Sequence, residues 1–436
     1  MMRCERTEPM RKNCSPMRWI VIALVFWATI INYLDRQTLS VVAPLLIDRF
    51  HMSNVTYSQI IFGFMLAYTI MNGASGPIID RLGTRAGYAV TMVWWSAAAM
   101  LHAFAKGPLS LGIARFLLGM GEAGNWPAGV KVVAEWFPAE ERAFASGVFN
   151  SGSSVGAILA PPLVVWIVLK LGWQYAFLFV GAAGFVWLLC WLTLYHPQVE
   201  VERPPEASRI SILKLLRTRF VWAFTLSKVF IDPVWYFYIF WFPEYLKRVR
   251  HFDMAAIGKY AWIPFFVAAV GNLLGGGLSA LLIQWGVSLS VARKSAVTVF
   301  AVLMTSAIPV ASVADVRLSI ALVSLAMVGY TGSCANILAF PADVFPKDVV
   351  ASVYGFSSLG SGFGGMIFAL TTGWVIDHYS YVPVFIGFGL LPLVCIAVIW
   401  FLLGPISPVS AKSALAESAS ASLVGGTAHK HSESDN

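Results

Sequence analysis

Apolar stretches long enough to cross a lipid bilayer follow one another along almost the whole chain. Segmenting them into runs of about 20 residues gives about twelve predicted spans. Of all residues, 58% are hydrophobic and only 12% are charged, whereas soluble domains average about 25% charged. The sequence therefore predicts an all-α integral membrane protein with twelve helices, surrounded by the lipid bilayer.

The spans divide the chain into five predicted regions. The first apolar run continues through Val41 without a small-residue cleavage site, so it is interpreted as a span and not as a signal peptide. The regions are a cytoplasmic tail at 1–18, a six-helix bundle at 19–195, a cytoplasmic linker at 196–219, a second six-helix bundle at 220–403 and a disordered cytoplasmic tail at 404–436. The predicted spans are 19–41, 57–77, 86–105, 109–132, 143–169, 173–195, 220–245, 258–284, 295–313, 317–341, 350–375 and 381–403.

Basic residues are distributed unevenly between the two sides of the predicted spans. If both termini lie on one side, that side collects sixteen Lys and Arg residues and the other side eight. The positive-inside rule then places both termini in the cytoplasm, and a bacterial plasma (inner) membrane is expected. The net charge of +8 forms no single patch that would bind nucleic acid. The five cysteines are scattered without CxxC spacing, so neither disulfides nor a metal site is predicted.

The two halves of the chain repeat each other. A repeat of six helices keeps its orientation, which predicts two pseudo-symmetric bundles around an axis along the membrane normal and a cleft between them. When the offset between the repeated motifs is applied to Arg115 and Glu122, it leads to the uncharged residues Val323 and Tyr330. The functional charged residues are therefore predicted to be concentrated in the first half. The motifs that recur at one constant shift are Phe137-Pro138 with Phe345-Pro346, Gly152 and Gly156 with Gly360 and Gly364, and Arg85 with Arg293.

Ionisable residues within the predicted spans of the first half include Asp35, Arg36, Arg115 and Glu122. Each would cost roughly 2.5–3.5 kcal/mol at mid-bilayer on the lenient insertion scale, so all four are expected to face a polar interior. A chain of apolar helices with such an interior is most simply a transporter of a polar solute. With no metalloprotease pattern, no nucleophile–base pattern and no nucleotide motif in a suitable setting, an enzyme is not predicted.

The spacing of these charges suggests proton coupling. Arg115 and Glu122 lie about 10 Å apart along one helix face, which suits partners on a neighbouring helix, and Asp35 is the expected partner of Arg115. Our hypothesis is that Asp35 and Glu122 exchange protons while Arg36 receives an anionic substrate. A static network of buried ion pairs is the alternative.

Several further motifs have both a functional and a packing interpretation. The loop residues Asp80, Arg81, Gly83 and Arg85 are predicted to form a gate, although a solvated loop explains them almost as well. In the second half, Lys228 and Asp232 form an i, i+4 pair, and aromatic residues follow them. Candidates for substrate contact there, each equally explained by packing, are Trp235, Tyr236, Asn336 and Ser358.

The segment Gly76–Arg85 resembles the loop signature of the major facilitator superfamily. The segments Asn32–Gln37, Arg115–Pro127, Glu135–Pro138, Phe149–Gly152 and Asp232–Tyr238 resemble the anion:cation symporter branch, especially hexuronate transporters. The resemblance covers nearly everything except the two tails. It implies proton-coupled uptake of a sugar acid by a monomer, with a small organic anion and protons as partners and without a cofactor or metal.

The resemblance also assigns roles to residues. It implies that Asp35 and Glu122 are protonated, that Arg115 couples to Asp35, and that Arg36 binds the substrate carboxylate. It also places Tyr68 near the bound carboxylate. Tyr33, which belongs to a polar stripe with Arg36, Gln37 and Ser40 on the first helix, is a further predicted substrate contact, as are Asn150 and Ser153.

The sequence departs from hexuronate relatives in the tenth span, where Ser333-Cys-Ala-Asn336 replaces a Trp-Ser-Ala-Asn run. Loss of that indole is expected to remove a stacking surface for the sugar ring. Aldonates, aldarates and small organic acids therefore stay open as substrates. A drug–proton antiporter is a rival within the same fold, but a cationic drug would meet Arg36 and Arg115 in the cleft.

Overall fold

The computed structural model describes residues 17–137, 139–196, 218–345 and 347–406. Helices account for nearly all of these residues, and there is no strand among them. The predicted tails lie almost wholly outside the described ranges, as does most of the predicted linker. The all-helical prediction is confirmed.

In the first half, the described residues form seven α-helices. The fourth predicted span is interrupted at residues 123–124, directly after Glu122, and so consists of two helices, α4 and α5. The helices are α1 (Met17–Arg49), α2 (Asn54–Leu82), α3 (Thr84–Leu101), α4 (Pro108–Glu122), α5 (Asn125–Trp136), α6 (Ala139–Leu171) and α7 (Trp173–Leu194).

The described residues of the second half form eight α-helices, because both the second and the fourth predicted span are split there. The helices are α8 (Arg219–Arg248), α9 (Met254–Tyr260), α10 (Ile263–Gln284), α11 (Leu289–Leu303), α12 (Val316–Ile337), α13 (Phe340–Val344), α14 (Lys347–His378) and α15 (Tyr381–Ala397). Among the described residues, eight helical stretches are long and apolar enough to cross a membrane by length and composition.

Several helices extend beyond the predicted spans. The helix α1 continues to Arg49 although a span ending at 41 was predicted, because the apolar run through Ile47 remains buried. The helix α14 likewise begins at Lys347 and ends at His378. The additional turns carry polar residues that meet the opposite half.

Helix packing confirms the predicted duplication. Contacts between α1 and α6 recur between α8 and α14, those between α2 and α4 recur between α10 and α12, and those between α3 and α7 recur between α11 and α15. Glycines permit the closest of these approaches: a Cβ on Gly156 would lie 2.7 Å from the carbonyl oxygen of Ile30, and one on Gly364 would lie 2.5 Å from that of Val229. Two bundles of the same design therefore face each other.

The two halves meet through α1 with α8, α2 with α14, and α6 with α9 and α10. We call the end of the molecule where α1 begins and the turn after α15 finishes the terminal end, and the end marked by Arg49 and His378 the distal end. All the described hydrogen bonds and ion pairs between the halves lie toward the distal end. The structure is therefore closed at the distal end.

Candidate transport site

A buried ion pair joins α1 to α4 at the centre of the first half. Arg36 Nη2 lies 2.9 Å from Glu122 Oε2, and Arg36 Nε donates to the same oxygen at 3.1 Å. Arg36 is 3% exposed and Glu122 is fully buried. The helix α4 ends at Glu122, and the side-chain amide of Asn32 donates to the backbone carbonyl oxygen of Glu122 at 3.4 Å. The predicted substrate ligand Arg36 is thus held by the predicted proton carrier Glu122.

Arg115 does not pair with the carboxylate of Asp35, so that prediction is wrong for this structure. Its Nη2 donates to the backbone carbonyl oxygen of Arg36 at 2.7 Å, and its Nη1 donates to that of Asp35 at 3.4 Å. Among the described ion pairs, Asp35 takes part in none. Arg115 therefore attaches α4 to the turn of α1 that carries the two charged residues.

Aromatic rings surround both guanidinium groups. The Arg36 guanidinium lies 4.6 Å from the ring centre of Tyr68 and 5.2 Å from that of Tyr33, and the Arg115 guanidinium lies 4.4 Å from that of Phe64. An arginine over an aromatic face gains about 0.5–2 kcal/mol, more when water is excluded. The structure therefore brings the predicted residues Tyr33 and Tyr68 together with Arg36.

Several polar atoms at this site are buried without a hydrogen-bond partner among the described residues. They include Asp35 Oδ2, Glu122 Oε1, Asn32 Oδ1 and Gln37 Nε2. Each such atom costs about 1–3 kcal/mol, and native proteins keep few of them. Their concentration on α1 and α4 marks a place where a polar ligand or a proton can be bound.

The second half presents its own polar cluster. Tyr236 lies 3.2 Å from Ser361 through their hydroxyl oxygens, and Trp235 stacks on Tyr330 with ring centres 5.1 Å apart. The hydroxyl of Tyr330 in turn donates to Asp232 Oδ1 at 3.2 Å. Charge is therefore not concentrated in the first half as predicted, because Asp232 is also paired with a lysine.

The sequence analysis noted Lys228 and Asp232 but left them out of the predicted site. Lys228 Nζ lies 2.9 Å from Asp232 Oδ2, and both side chains are about nine-tenths buried. Opposite charges four residues apart in an otherwise apolar span were the available signal, since ionisable residues at such positions are functional by default.

Asn336 does not reach the central site, which corrects its prediction as a substrate ligand. Its Nδ2 donates to the carbonyl oxygen of Gly275 at 2.8 Å, and its Oδ1 accepts from Arg293 at 3.3 Å. The side chain is fully buried and joins α12 to α10 and α11. Its role in this structure is packing within the second half.

Three other predicted ligands make only local hydrogen bonds in the described part of the chain. Ser153 donates to the carbonyl oxygen of Asn150 at 2.7 Å, and Ser358 donates to that of Tyr354 at 3.0 Å. Asn150 itself is exposed. Contact of these residues with a substrate stays a prediction.

Ser333, where hexuronate relatives were expected to carry an indole, faces away from the cleft. It is fully buried, and its hydroxyl donates to the carbonyl oxygen of Val297 on α11 at 3.4 Å. The absence of a tryptophan here therefore removes no stacking surface from the space between the halves.

The predicted gating loop is a tight turn between α2 and α3. Gly83 has φ of 77°, a left-handed conformation that favours glycine. Arg81 is exposed, and Arg85 donates to the carbonyl oxygen of Leu192. The side chain of Asp80 lies outside the described part of the structure, and the gating role stays a prediction.

A polar network at the distal end closes the cleft between the halves. Asp48 on α1 pairs with both Lys247 and Arg248 on α8. The carboxylate of Asp377 on α14 accepts from the backbone nitrogens of Asn54 and Val55, at 3.0 and 2.8 Å. Sequence analysis missed this network, because its partners are separated by about 200 to 320 positions.

We expect Gly373→Ala to open the distal end. A Cβ at Gly373 would lie 2.6 Å from the carbonyl oxygen of Asn54, on the opposite half. Spin labels at His51 and Tyr379, in a variant whose native cysteines are replaced by serine, would report the separation of the halves. The distance distribution should gain a longer component.

The matched control is Gly387→Ala on α15, because a Cβ there meets nothing within 4 Å. It should reproduce the parent distance distribution. Identical distributions for all three proteins would show that the contact at Gly373 does not hold the distal end closed.

Two packed helical bundles, each with a charged pair buried inside it, are the architecture expected of a membrane transporter. A family model described as the Major Facilitator Superfamily matches residues 25–340. The chain belongs to this superfamily, and it is a transporter and not an enzyme.

The relatives and a solved structure agree with this assignment. The chain is 34% identical to the hexuronate transporter of Escherichia coli (strain K12), over 89% of this chain and 94% of that protein. It is 28% identical to a probable galactarate/D-glucarate transporter of the same organism, over 87% of this chain and 93% of that protein. Its fold resembles that of a D-xylose–proton symporter with a TM-score of 0.72, at 12% identity, over 89% of this chain and 98% of that chain.

Proposed function

We propose that this protein is a proton-coupled symporter of a sugar acid, with a hexuronate as its preferred substrate. The observation that carries the proposal is the buried pair of Arg36 and Glu122, at 2.9 Å. A guanidinium is the side chain best suited to bind a carboxylate by two parallel hydrogen bonds. In the described part of the structure, the only anionic group paired with Arg36 is Glu122, an acid that can take up a proton.

Competition between Glu122 and the substrate would couple the two fluxes. When Glu122 takes up a proton, its carboxyl becomes neutral and Arg36 can accept the substrate carboxylate instead. Removing one partner of a buried ion pair costs about 3–5 kcal/mol. Arg36 is therefore most stable when it is paired with one anion, either Glu122 or the substrate carboxylate. Proton binding and substrate binding therefore strengthen each other, as thermodynamic linkage requires.

Asp35 would supply a second proton-binding group beside this pair. Its Oδ2 is buried without a partner among the described residues, although its backbone carbonyl is bound by Arg115. Arg115 would thus act on Asp35 by positioning the helix turn that carries it. This role replaces the direct pairing that the sequence suggested.

Alternating access would follow from movement of the two bundles about the central site. Because the described hydrogen bonds and ion pairs between the halves lie toward the distal end, the terminal end would be the open side. Because the positive-inside rule predicts cytoplasmic termini, this state would correspond to an inward-open carrier. The distal network of Asp48, Lys247 and Arg248 would separate when the carrier turns outward.

The substrate class is supported by the relatives. Hexuronates, galactarate and glucarate are all chains of hydroxyl groups that end in at least one carboxylate. Arg36 suits the carboxylate, and the hydroxyl-bearing cluster of Tyr236, Ser361 and Tyr330 suits the rest. Aldonates and other carboxylates remain the alternative substrates.

Uptake of labelled glucuronate into proteoliposomes tests the proposal. We expect uptake to rise with an inwardly directed proton gradient and to fall when a protonophore collapses that gradient, because Glu122 must be protonated before Arg36 can bind the anion. Uptake that ignores the gradient would contradict proton coupling. Absence of any glucuronate uptake would contradict the substrate.

A further inference from the structure

The buried pair of Lys228 and Asp232 is the second charged centre of the molecule. Its atoms lie 2.9 Å apart, and the residues are 6% and 5% exposed. Replacing a buried ion pair by apolar residues is often neutral or stabilising, so packing alone does not account for these two charges. Nothing in the first half pairs with them in the described ion pairs.

Helix packing places Asp232 about one helical turn from the depth of Arg36. The glycines Gly152 and Gly156 approach the carbonyl oxygens of Phe26 and Ile30, and their counterparts Gly360 and Gly364 approach those of Thr225 and Val229. The contacted residues on α1 and α8 are related by a shift of 199 in both cases. By that register Asp232 lies at the level of Tyr33, whose ring covers the Arg36 guanidinium.

The pair also adjoins the space between the halves. Lys228 Nζ lies 5.5 Å from the ring centre of Tyr354, which is 42% exposed. About two turns along the same helix, a Cβ on Gly362 would clash with the hydroxyl oxygen of Thr69 in the first half. The residue before Thr69 is Tyr68, whose ring lies over the Arg36 guanidinium. Lys228 and Asp232 therefore lie across the cleft from Arg36.

The two charged centres differ in what they can bind. Arg36 offers positive charge once Glu122 is neutral, whereas Lys228 and Asp232 together carry no net charge and offer a strong donor beside a strong acceptor. Hydroxyl groups use both, because each can donate and accept. A second carboxylate would be repelled by Asp232, and Lys228 is already paired with Asp232 and leaves no free positive charge to compensate it.

We propose that Lys228 and Asp232 form a subsite for the uncharged, hydroxylated end of the substrate and exclude a second carboxylate. Tyr330, whose hydroxyl donates to Asp232, helps to keep that carboxylate in place. The subsite makes the carrier selective for sugar acids with one carboxylate over aldarates, which carry one at each end. This inference rests on the proposed function, since it assumes that Arg36 binds the first carboxylate.

Competition against labelled glucuronate uptake tests the subsite. With the unmodified protein, we expect unlabelled glucarate to compete at least tenfold more weakly than unlabelled glucuronate. In Asp232→Asn the repulsion is gone and Lys228 keeps its charge, so the gap should shrink at least tenfold. In the double variant Lys228→Gln with Asp232→Asn, no cation remains to compensate a buried second carboxylate, so the preference for glucuronate should return.

The control is Lys294→Gln, which removes a buried lysine of the second half that lies near Trp400. It should leave the ratio of the two competitors unchanged. If Asp232→Asn does not fold, Lys228→Gln alone carries the test, and glucarate should then lose at least a further threefold against glucuronate.

The outcomes separate the two proposals. If glucuronate is not taken up by the unmodified protein, the proposed function fails. If glucuronate is taken up but glucarate competes equally well, or the ratio is the same in Asp232→Asn or its substitute Lys228→Gln, the subsite is overturned and the proposed function stands.

Discussion

Glu122→Gln will lose net uptake of substrate by two to three orders of magnitude while keeping exchange of substrate across the membrane. Glutamine resembles the protonated acid, so Arg36 is free to bind the substrate carboxylate without a proton. The empty carrier, however, must reorient with Arg36 unpaired and buried, which costs about 3–5 kcal/mol. Since each 1.36 kcal/mol is a factor of ten in rate, the return step becomes limiting.

Two assays in proteoliposomes distinguish the half-reactions. Gradient-driven uptake requires the empty carrier to return, whereas counterflow from substrate-loaded vesicles does not. In the unmodified protein, substrate affinity should strengthen as the pH falls, because binding requires protonated Glu122. In Glu122→Gln that dependence should be absent.

The matched control is Glu135→Gln. The two carboxylate oxygens of Glu135 accept hydrogen bonds from Thr84 and Tyr195, at 2.5 and 2.6 Å, and the residue lies near the terminal end of the first half. Its pH dependence should be that of the parent. Retention of gradient-driven uptake in Glu122→Gln would refute the competition between Glu122 and the substrate.

Arg36→Gln is expected to weaken substrate binding more than a hundredfold. The amide cannot present the charged, two-pronged donor that a carboxylate requires. The protein should still fold, because an acid left in an apolar site without its cation keeps its proton and avoids burying a charge. Binding of glucuronate to the purified protein by titration calorimetry measures the loss.

Two further variants sharpen this experiment. Arg36→Lys keeps the positive charge but loses the two parallel hydrogen-bond donors and the contact of the guanidinium with the Tyr68 ring. It should therefore recover only part of the affinity for glucuronate. Arg49→Gln removes an exposed arginine from the same helix and should bind like the parent. Unaltered binding in Arg36→Gln would mean that the substrate carboxylate is held elsewhere.

Much of the fold was predictable because its signals are local. An apolar run of a given length is a span whatever its neighbours are, and recurring motifs at one shift indicate duplication. The helix boundaries were less predictable. The breaks after Glu122 and Tyr260 fall within apolar sequence, where hydropathy does not distinguish one helix from two.

The candidate site was predictable as a set of residues but not as a set of contacts. The cost of burying charge identifies Arg36, Arg115 and Glu122 from residue type and position in a span alone. It does not identify their partners: Glu122 binds Arg36, while Arg115 binds backbone carbonyls. For Asn336 the sequence predicted a substrate contact, whereas the structure shows a hydrogen bond to neighbouring backbone. A polar side chain within a span can form its hydrogen bonds with backbone as well as with a ligand.

Lys228 and Asp232 show why a single shift between the halves was insufficient. The shift given by the loop motifs relates Glu122 to Tyr330, but the contacts of Gly152 and Gly360 relate α1 to α8 by 199 residues. Only the packed helices show that Tyr330 lies beside Asp232 and that Asp232 corresponds in depth to Tyr33.

By itself, the sequence determined that the chain is a duplicated helical membrane protein with charges in its interior, because apolar length and the cost of buried charge depend on residue type and order alone. Only the tertiary structure decided which charges meet, which end of the cleft is closed and where the second ion pair lies. Those features depend on how helices distant in sequence turn and approach one another. Each helix could be rotated about its axis in several ways without changing the hydropathy of its sequence, so hydropathy does not determine which residues meet.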